Sequence, residues 1–72
     1  MANIIYGMPE NAHLRIMVFD IRGRHVATLV DDFQFAGYHQ VNWDARLQPS
    51  GMYLVKIMSE SFTTTQKIVL MK

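Results

Sequence analysis

Three serines and three histidines are the side chains of this 72-residue chain that could support hydrolysis. A serine hydrolase holds its hydroxyl against a histidine base, usually with the serine on a sharp turn after a strand. The candidates are Ser50, Ser59, Ser61, His13, His25 and His39. None of these serines lies in a nucleophile elbow, and the chain has no glycine-rich phosphate loop. So small a domain lacks the core volume for a buried catalytic group, and we predict that it is not an enzyme.

The same histidines and four aspartates are the side chains that could bind a metal ion. The histidines fall in a turn, at a strand start and within a strand, without the paired spacing of a zinc site. Asp20, Asp31, Asp32 and Asp44 could gather around calcium, although carboxylates at such places more often stabilise turns. The chain has no cysteine, which excludes a thiolate site. We expect no metal and no other cofactor, with calcium as the open alternative.

Two large aromatic residues could form a platform for a sugar ligand. Trp43 and Tyr53 lie within stretches that read as strands. In so short a chain, large aromatic side chains are needed to fill the interior. We therefore assign both to the core.

The charge and hydropathy of the chain exclude two kinds of partner. Seven lysines and arginines oppose six acidic residues, with the signs interspersed, so no basic stripe is available to follow a nucleic acid. The longest apolar run is far shorter than a membrane span, and the first residues do not resemble a signal peptide. We expect neither nucleic acid nor a membrane span, and we interpret Met1 and Ala2 as additions to an excised domain.

The elements that position these side chains are predicted to be strands. Turn-forming residues recur about every ten positions, which is typical of an all-β sandwich. Large apolar residues occupy every second position in three stretches, which indicates half-buried strands. These alternating sets are Ile4, Tyr6 and Met8, then Leu14, Ile16 and Val18, then Tyr53, Val55 and Ile57.

The turns and the remaining strands complete a single domain over residues 1–72. Asp20 and Gly23 fit the first and fourth positions of a type I turn whose glycine takes a positive φ. We predict a third strand over residues 26–30, a loop from Asp31 to Gly37, a strand over 38–43 and a last strand over 62–71. The prediction is a small antiparallel β-sandwich of six strands, or seven if a piece of a parent protein precedes Asn3.

Five stretches of the chain, in order and at matching spacing, resemble the blocks of a known family. They are residues 4–10, 18–30, 36–44, 49–53 and 65–72. The family is the C-terminal sorting domain of the type IX secretion system of Bacteroidota-type bacteria. The chain departs from the family pattern at Gln48 and Gln66 and at the aromatic residues Phe33 and Phe35.

The resemblance implies an immunoglobulin-like sandwich at the C-terminus of a larger exported protein. That protein would cross the periplasm and reach the cell surface or the extracellular space. The implied partners are the outer-membrane secretion machinery and a sortase-like peptidase, which in this family often removes the domain afterwards. Two alternatives are an interaction domain similar to that of flagellar hook-capping proteins and a passive accessory domain.

We expect recognition to involve the strand that begins after Pro49 and the closing strand, where the chain stops inside packed structure. The candidate sorting residues are Pro49, Ser50, Gly51, Tyr53, Lys67, Ile68, Leu70 and Lys72. The two lysines have a second interpretation, because outward lysines on a terminal strand also guard an edge against aggregation. Docking by β-strand addition would suit such a strand.

Four further apolar residues lie outside the predicted core. Met17 and Phe19 are on the second face of their strand, and Phe33 and Phe35 are in the predicted loop. Contiguous exposed apolar surface usually marks a contact site. We expect these residues to meet a partner, and a homodimer through them or through an exposed strand edge is one form of that contact.

Overall fold

The computed structural model describes residues 2–71 and contains six β-strands over that range, with no helix. The strands are β1 Ala2–Met8, β2 Ala12–Asp20, β3 His25–Gln34, β4 Gly37–Trp43, β5 Gly51–Ser59 and β6 Thr63–Leu70. The predicted all-β class and six strands are confirmed. A search of residues 2–71 found no helix suited to crossing a membrane.

The strands form two antiparallel sheets that pack as the layers of a small sandwich. One sheet pairs β1 with β4, and the other has the order β3-β2-β5-β6. β1 and β4 align over seven residue pairs, from Ala2 opposite Trp43 to Met8 opposite Gly37. β2 and β5 form the centre of the larger sheet and supply its most buried side chains.

The core lies between the two sheets and follows the predicted alternation. Ile4 is 1% exposed, whereas its neighbour Ile5, on the opposite face of β1, is 59% exposed. The rings of Trp43 and Tyr53 meet edge to face with centroids 5.2 Å apart, and both residues are buried. This confirms their assignment to the core. The buried residues are Ile4, Tyr6, Met8, Leu14, Ile16, Val18, Trp43, Ala45, Tyr53, Val55 and Ile57.

Two side-chain hydrogen bonds join distant parts of the sandwich. The Tyr6 hydroxyl donates to Gln34 Oε1 at 3.3 Å, and burial raises the pKa of Tyr6. The Gln66 amide of β6 donates to the Ile5 carbonyl of β1 at 3.3 Å. The second bond links the edge of the smaller sheet to an edge strand of the larger one.

The loop predicted from Asp31 to Gly37 is wrong, because β3 continues to Gln34. Asp31 lies on the ladder opposite Arg15, and its carboxylate bonds to His13 Nε2 at 2.6 Å. His13, assigned to a turn from the sequence, lies in β2. The prediction failed because Asp31 and Asp32 are residue types typical of turns. An edge strand tolerates them, since their carboxylates point into solvent.

Candidate docking surface

The segment before β5 is held against the core by one hydrogen bond. The Tyr53 hydroxyl donates to the Pro49 carbonyl at 2.7 Å, while the ring packs on Trp43. Gly51, with a φ of +152°, begins the strand in a conformation that side chains disfavour. The core therefore fixes the position of residues 49–51.

The β5–β6 ladder brings the two groups of predicted sorting residues together. Tyr53 is the register partner of Ile68, and Gly51 is the partner of Leu70. Lys67 lies opposite Leu54 and points to the outer face, away from the half-buried Ile68. Lys72 falls outside the residues that the structure describes. The remaining candidates thus occupy one end of a single hairpin.

The free side of β6 presents a regular row of main-chain groups. The Ser59 N–H donates to the Phe62 carbonyl at 2.9 Å, which makes that pair hydrogen-bonded. Pairs in an antiparallel ladder alternate between hydrogen-bonded and non-hydrogen-bonded, and the β5–β6 register continues from this pair without a shift. The alternate residues of β6 therefore direct their N–H and C=O groups away from β5. These residues are Thr63, Thr65, Lys67 and Val69.

The opposite edge of the four-stranded sheet is irregular. The register between β2 and β3 shifts twice, between Ile16 and Met17 and between Val18 and Phe19. Such bulges twist an edge and interrupt its row of hydrogen-bonding groups. Of the two edge strands of this sheet, β3 and β6, β6 has the regular register, which is unbroken over eight residues.

A tight turn packs beside the start of β5. Gly23 donates its N–H to the Asp20 carbonyl at 3.0 Å and has a φ of +85°, which confirms the predicted turn. The Asp20 carboxylate accepts the N–H groups of Arg22 and Arg24 at 2.9 and 3.0 Å, and the Arg24 Nε at 3.1 Å. These bonds, led by the one from the Arg24 N–H, hold the pKa of Asp20 below its ordinary value.

A shallow groove of about 390 Å³ separates this turn from the segment before β5. Its walls include Ile21 and Arg22 on one side and Pro49, Ser50 and Met52 on the other. Ile21 projects into solvent above it. The end of the hairpin therefore borders a concave surface. Sequence reasoning did not predict this groove, because its walls come from two segments that are 27 positions apart.

The outer face of the larger sheet carries Met17 and Phe19 beside basic residues. The Lys56 ammonium lies 5.1 Å from the centre of the Phe19 ring, within cation–π range. Arg15 is on the same face of β2 as Met17, because Leu14, Ile16 and Val18 point into the core. Sequence reasoning did not select Arg15 or Lys56, although their alternation with buried residues places them on this face.

Phe33 and Phe35 form a separate exposed pair. Their rings meet edge to face with centroids 5.3 Å apart, and the residues are 51% and 68% exposed. Phe33 lies opposite His13 on β3, whereas Phe19 lies six residues further along β2. At about 3.3 Å per residue, that is roughly 20 Å. The structure therefore places the four residues in two groups.

The three histidines bond to three different parts of the molecule. His13 contacts Asp31, His25 Nε2 lies 2.8 Å from the Thr28 hydroxyl, and His39 Nε2 lies 2.6 Å from the Phe35 carbonyl oxygen. Asp44 bonds to its neighbour Arg46, which lowers the pKa of that carboxyl. Among residues 2–71, no three histidine or acidic side chains gather as metal ligands would.

Comparison with known proteins gives one match. The model of the family described as "Secretion system C-terminal sorting domain" matches residues 1–71. No match was found among curated proteins or among solved structures. The match covers all five stretches on which the sequence resemblance was based, apart from the final lysine.

Proposed function

The chain belongs to the family of secretion system C-terminal sorting domains, and from that premise we propose that the free edge of β6 is where the secretion machinery docks. Members of the family are sorting signals for type IX secretion, and the family is not one of enzymes. The sorting signal directs its protein through the outer membrane to the cell surface or the extracellular space.

The unbroken register of β6 is the observation that carries this proposal. Thr63, Thr65, Lys67 and Val69 present unpaired main-chain groups to one side. A partner strand placed there would extend the sheet, with main-chain hydrogen bonds supplying affinity. Its side chains would meet those of β6, which supplies selectivity.

The start of β5 is proposed to support the same contact. The Tyr53 hydroxyl fixes the Pro49 carbonyl, so Pro49, Ser50 and Gly51 form a firm end to the hairpin. Ile68 and Leu70 hold β6 against this end by partly burying their side chains. The groove beside Pro49 lies on the β2 side of this hairpin end, with β5 and β6 between it and the free edge.

The domain interacts with the type IX machinery, and two finer partner assignments are proposals. We propose that the partner strand belongs to the outer-membrane translocon and that a sortase-like peptidase then removes the domain. We also propose that the sandwich is related to the immunoglobulin-like domain of hook-capping proteins. The Asp20–Gly23 turn, Trp43-Asp44 and the Gly51-x-Tyr53 strand support that relation.

The docking proposal is tested by substituting an edge-facing residue of β6. The full chain is fused to a periplasm-directed reporter in a host with the type IX machinery, and surface delivery is measured. Thr65→Pro removes an N–H that points away from β5, so the β5–β6 ladder keeps its bonds. We expect Thr65→Pro to reduce delivery strongly and Thr65→Val, which keeps the N–H, to leave it near the unsubstituted level.

A ladder-breaking variant separates docking from folding. Thr64 lies in a hydrogen-bonded pair with Ile57, so Thr64→Pro should lower the stability of the fold itself. Circular dichroism melts distinguish the two proline variants. Normal delivery of Thr65→Pro, with its fold intact, would disprove docking at the β6 edge.

We also propose that Phe33 and Phe35 form a self-association contact. Their exposed edge-to-face rings lie beside the β3–β4 connection, and aromatic pairs are favoured at protein contacts. Sedimentation at high concentration should reveal a dimer that Phe33→Ser with Phe35→Ser removes. A monomer at all concentrations would contradict this contact.

A further inference from the structure

Three cations cross the outer face of the larger sheet along a diagonal. Lys56 on β5 lies opposite Met17, which is the next residue after Arg15 on the same face of β2. We call each such cross-strand set of residues on the outer face a row. Lys67 on β6 lies opposite Leu54, one row further again. With strands about 4.8 Å apart and alternate residues about 6.6 Å apart, successive cations are roughly 8 Å from each other at their Cα atoms.

These cations have no acidic partner within ion-pair distance among residues 2–71. Asp31, the register partner of Arg15, lies on the same face and bonds to His13, and Glu60 lines a hollow together with Arg15, so two carboxylates lie near the Arg15 end of the diagonal. Asp20 and Asp44 lie outside this face and are paired with Arg24 and Arg46. The outer face therefore carries three cations against the two carboxylates of Asp31 and Glu60, and its excess positive charge lies at Lys56 and Lys67.

Apolar side chains lie between and beside the cations. Phe19 and Leu54 are register partners in the row of Lys67, and Met52 pairs with Val69 in the next row. Met52 and Val69 are exposed, whereas Phe19 and Leu54 are partly covered. Contiguous apolar surface marks a protein contact, and the cations beside it determine the charge that a partner must carry.

The charge pattern selects among the possible occupants. A second copy laid face to face would oppose cations with cations, which is unfavourable. An anionic bilayer would attract three cations only weakly, and apolar side chains set in a flat sheet do not project for insertion. A protein surface with carboxylates beside apolar groups satisfies both components of the face.

We propose that the outer face formed by β2, β5 and β6 docks a partner protein whose contacting segment carries aspartates or glutamates next to apolar side chains. The carboxylates pair with the diagonal of Arg15, Lys56 and Lys67. The apolar groups cover Phe19 and Leu54. This contact uses side chains on a face, so it does not depend on strand addition at the β6 edge.

Site-specific crosslinking tests the proposal. Met17, in the centre of the face, is replaced by p-benzoylphenylalanine in the full chain fused to a reporter, in a host with the type IX machinery. After irradiation, the partner segment is identified by mass spectrometry. We expect a protein segment that contains acidic residues, and we expect Arg15→Gln with Lys56→Gln to lower the crosslink yield about five- to tenfold.

The matched control is Arg46→Gln, which removes an exposed positive charge outside this face, beside Asp44, and should leave the yield unchanged. The proposal is overturned by a crosslink to lipid, to another copy or to a segment without acidic residues. Absence of a crosslink, or an equal yield from the double variant, overturns it as well.

A separate variant distinguishes this proposal from edge docking. If Thr65→Pro delivers normally while the Met17 crosslink persists, edge docking fails and the face contact stands. If Thr65→Pro abolishes delivery and Met17 gives no crosslink in the unsubstituted chain, edge docking stands and the face contact fails.

Discussion

At the scale of single residues, the turn between β2 and β3 is defined by Asp20 and Gly23. The carboxylate of Asp20 collects two backbone N–H groups and the Arg24 side chain. Gly23 supplies the positive φ that closes the turn. Sequence reasoning predicted this turn because its conformation depends on residue types at fixed offsets within four residues.

Gly23→Ala should destabilise the domain by about 1–2 kcal/mol, the cost of placing a Cβ in the left-handed region. A Cβ there would meet no atom within 4 Å, so the loss would come from backbone strain alone. Urea denaturation measures the change. Gly23→Asn, which tolerates this conformation better, should lose less, and an equal loss would point to another cause.

The lowered pKa of Asp20 predicts a pH dependence of stability. Because the folded state depresses this pKa, the carboxylate contributes stability above the unfolded-state pKa of about 4. That contribution is lost as the pH falls through the lower, folded-state value. Asp20→Asn should flatten the acid limb of a plot of unfolding free energy against pH. An unchanged acid limb would show that other carboxylates set it.

At the scale of elements, the alternation of buried residues was predictable, whereas the ends and irregularities of β3 were not. Leu14, Ile16 and Val18 have a period of two that fixes which face of β2 is buried. The extension of β3 depends on pairing with β2 and on the His13–Asp31 bond, which is a long-range contact. The candidate sorting residues could be selected from the sequence, but their meeting on one ladder required the β5–β6 register.

Lys67 lies on an edge strand and Lys56 on an inner strand, so we expect their replacement to affect self-association differently. Lys67→Val removes a charge from the free edge and should increase self-association, because an uncharged regular edge pairs readily with another strand. Lys56→Val makes the same change on β5, which is paired on both sides. Sedimentation compares the two variants. Equal association would show that Lys67 does not guard the edge.

At the scale of the whole molecule, two sheets share one core even though the smaller sheet has only two strands. Ile4, Tyr6 and Trp43 from the smaller sheet are buried with Ile16 and Val55 from the larger. In the absence of cysteines, this packing must support the fold without a disulfide. The layer arrangement followed from the sequence because half of the residues are apolar and they alternate.

Adjacent isoleucines of β1 test that shared core. Ile4→Ala should cost about 2–5 kcal/mol because it leaves a cavity between the sheets. Ile5→Ala, one residue away on the exposed face, should change the unfolding free energy by no more than about 0.5 kcal/mol. Denaturant titration measures both. Similar small losses would mean that the two-stranded sheet does not pack on the larger one.

We propose that the free edge of β6 receives a strand from the type IX machinery, and amide hydrogen exchange measures this contact residue by residue. In the isolated chain, the N–H groups of Thr65 and Lys67 should exchange faster than those of Gln66 and Ile68, which bond to β5. Addition of the isolated translocon should slow exchange at Thr65 and Lys67. If the translocon binds and these two amides continue to exchange at the free rate, no strand is added at the β6 edge.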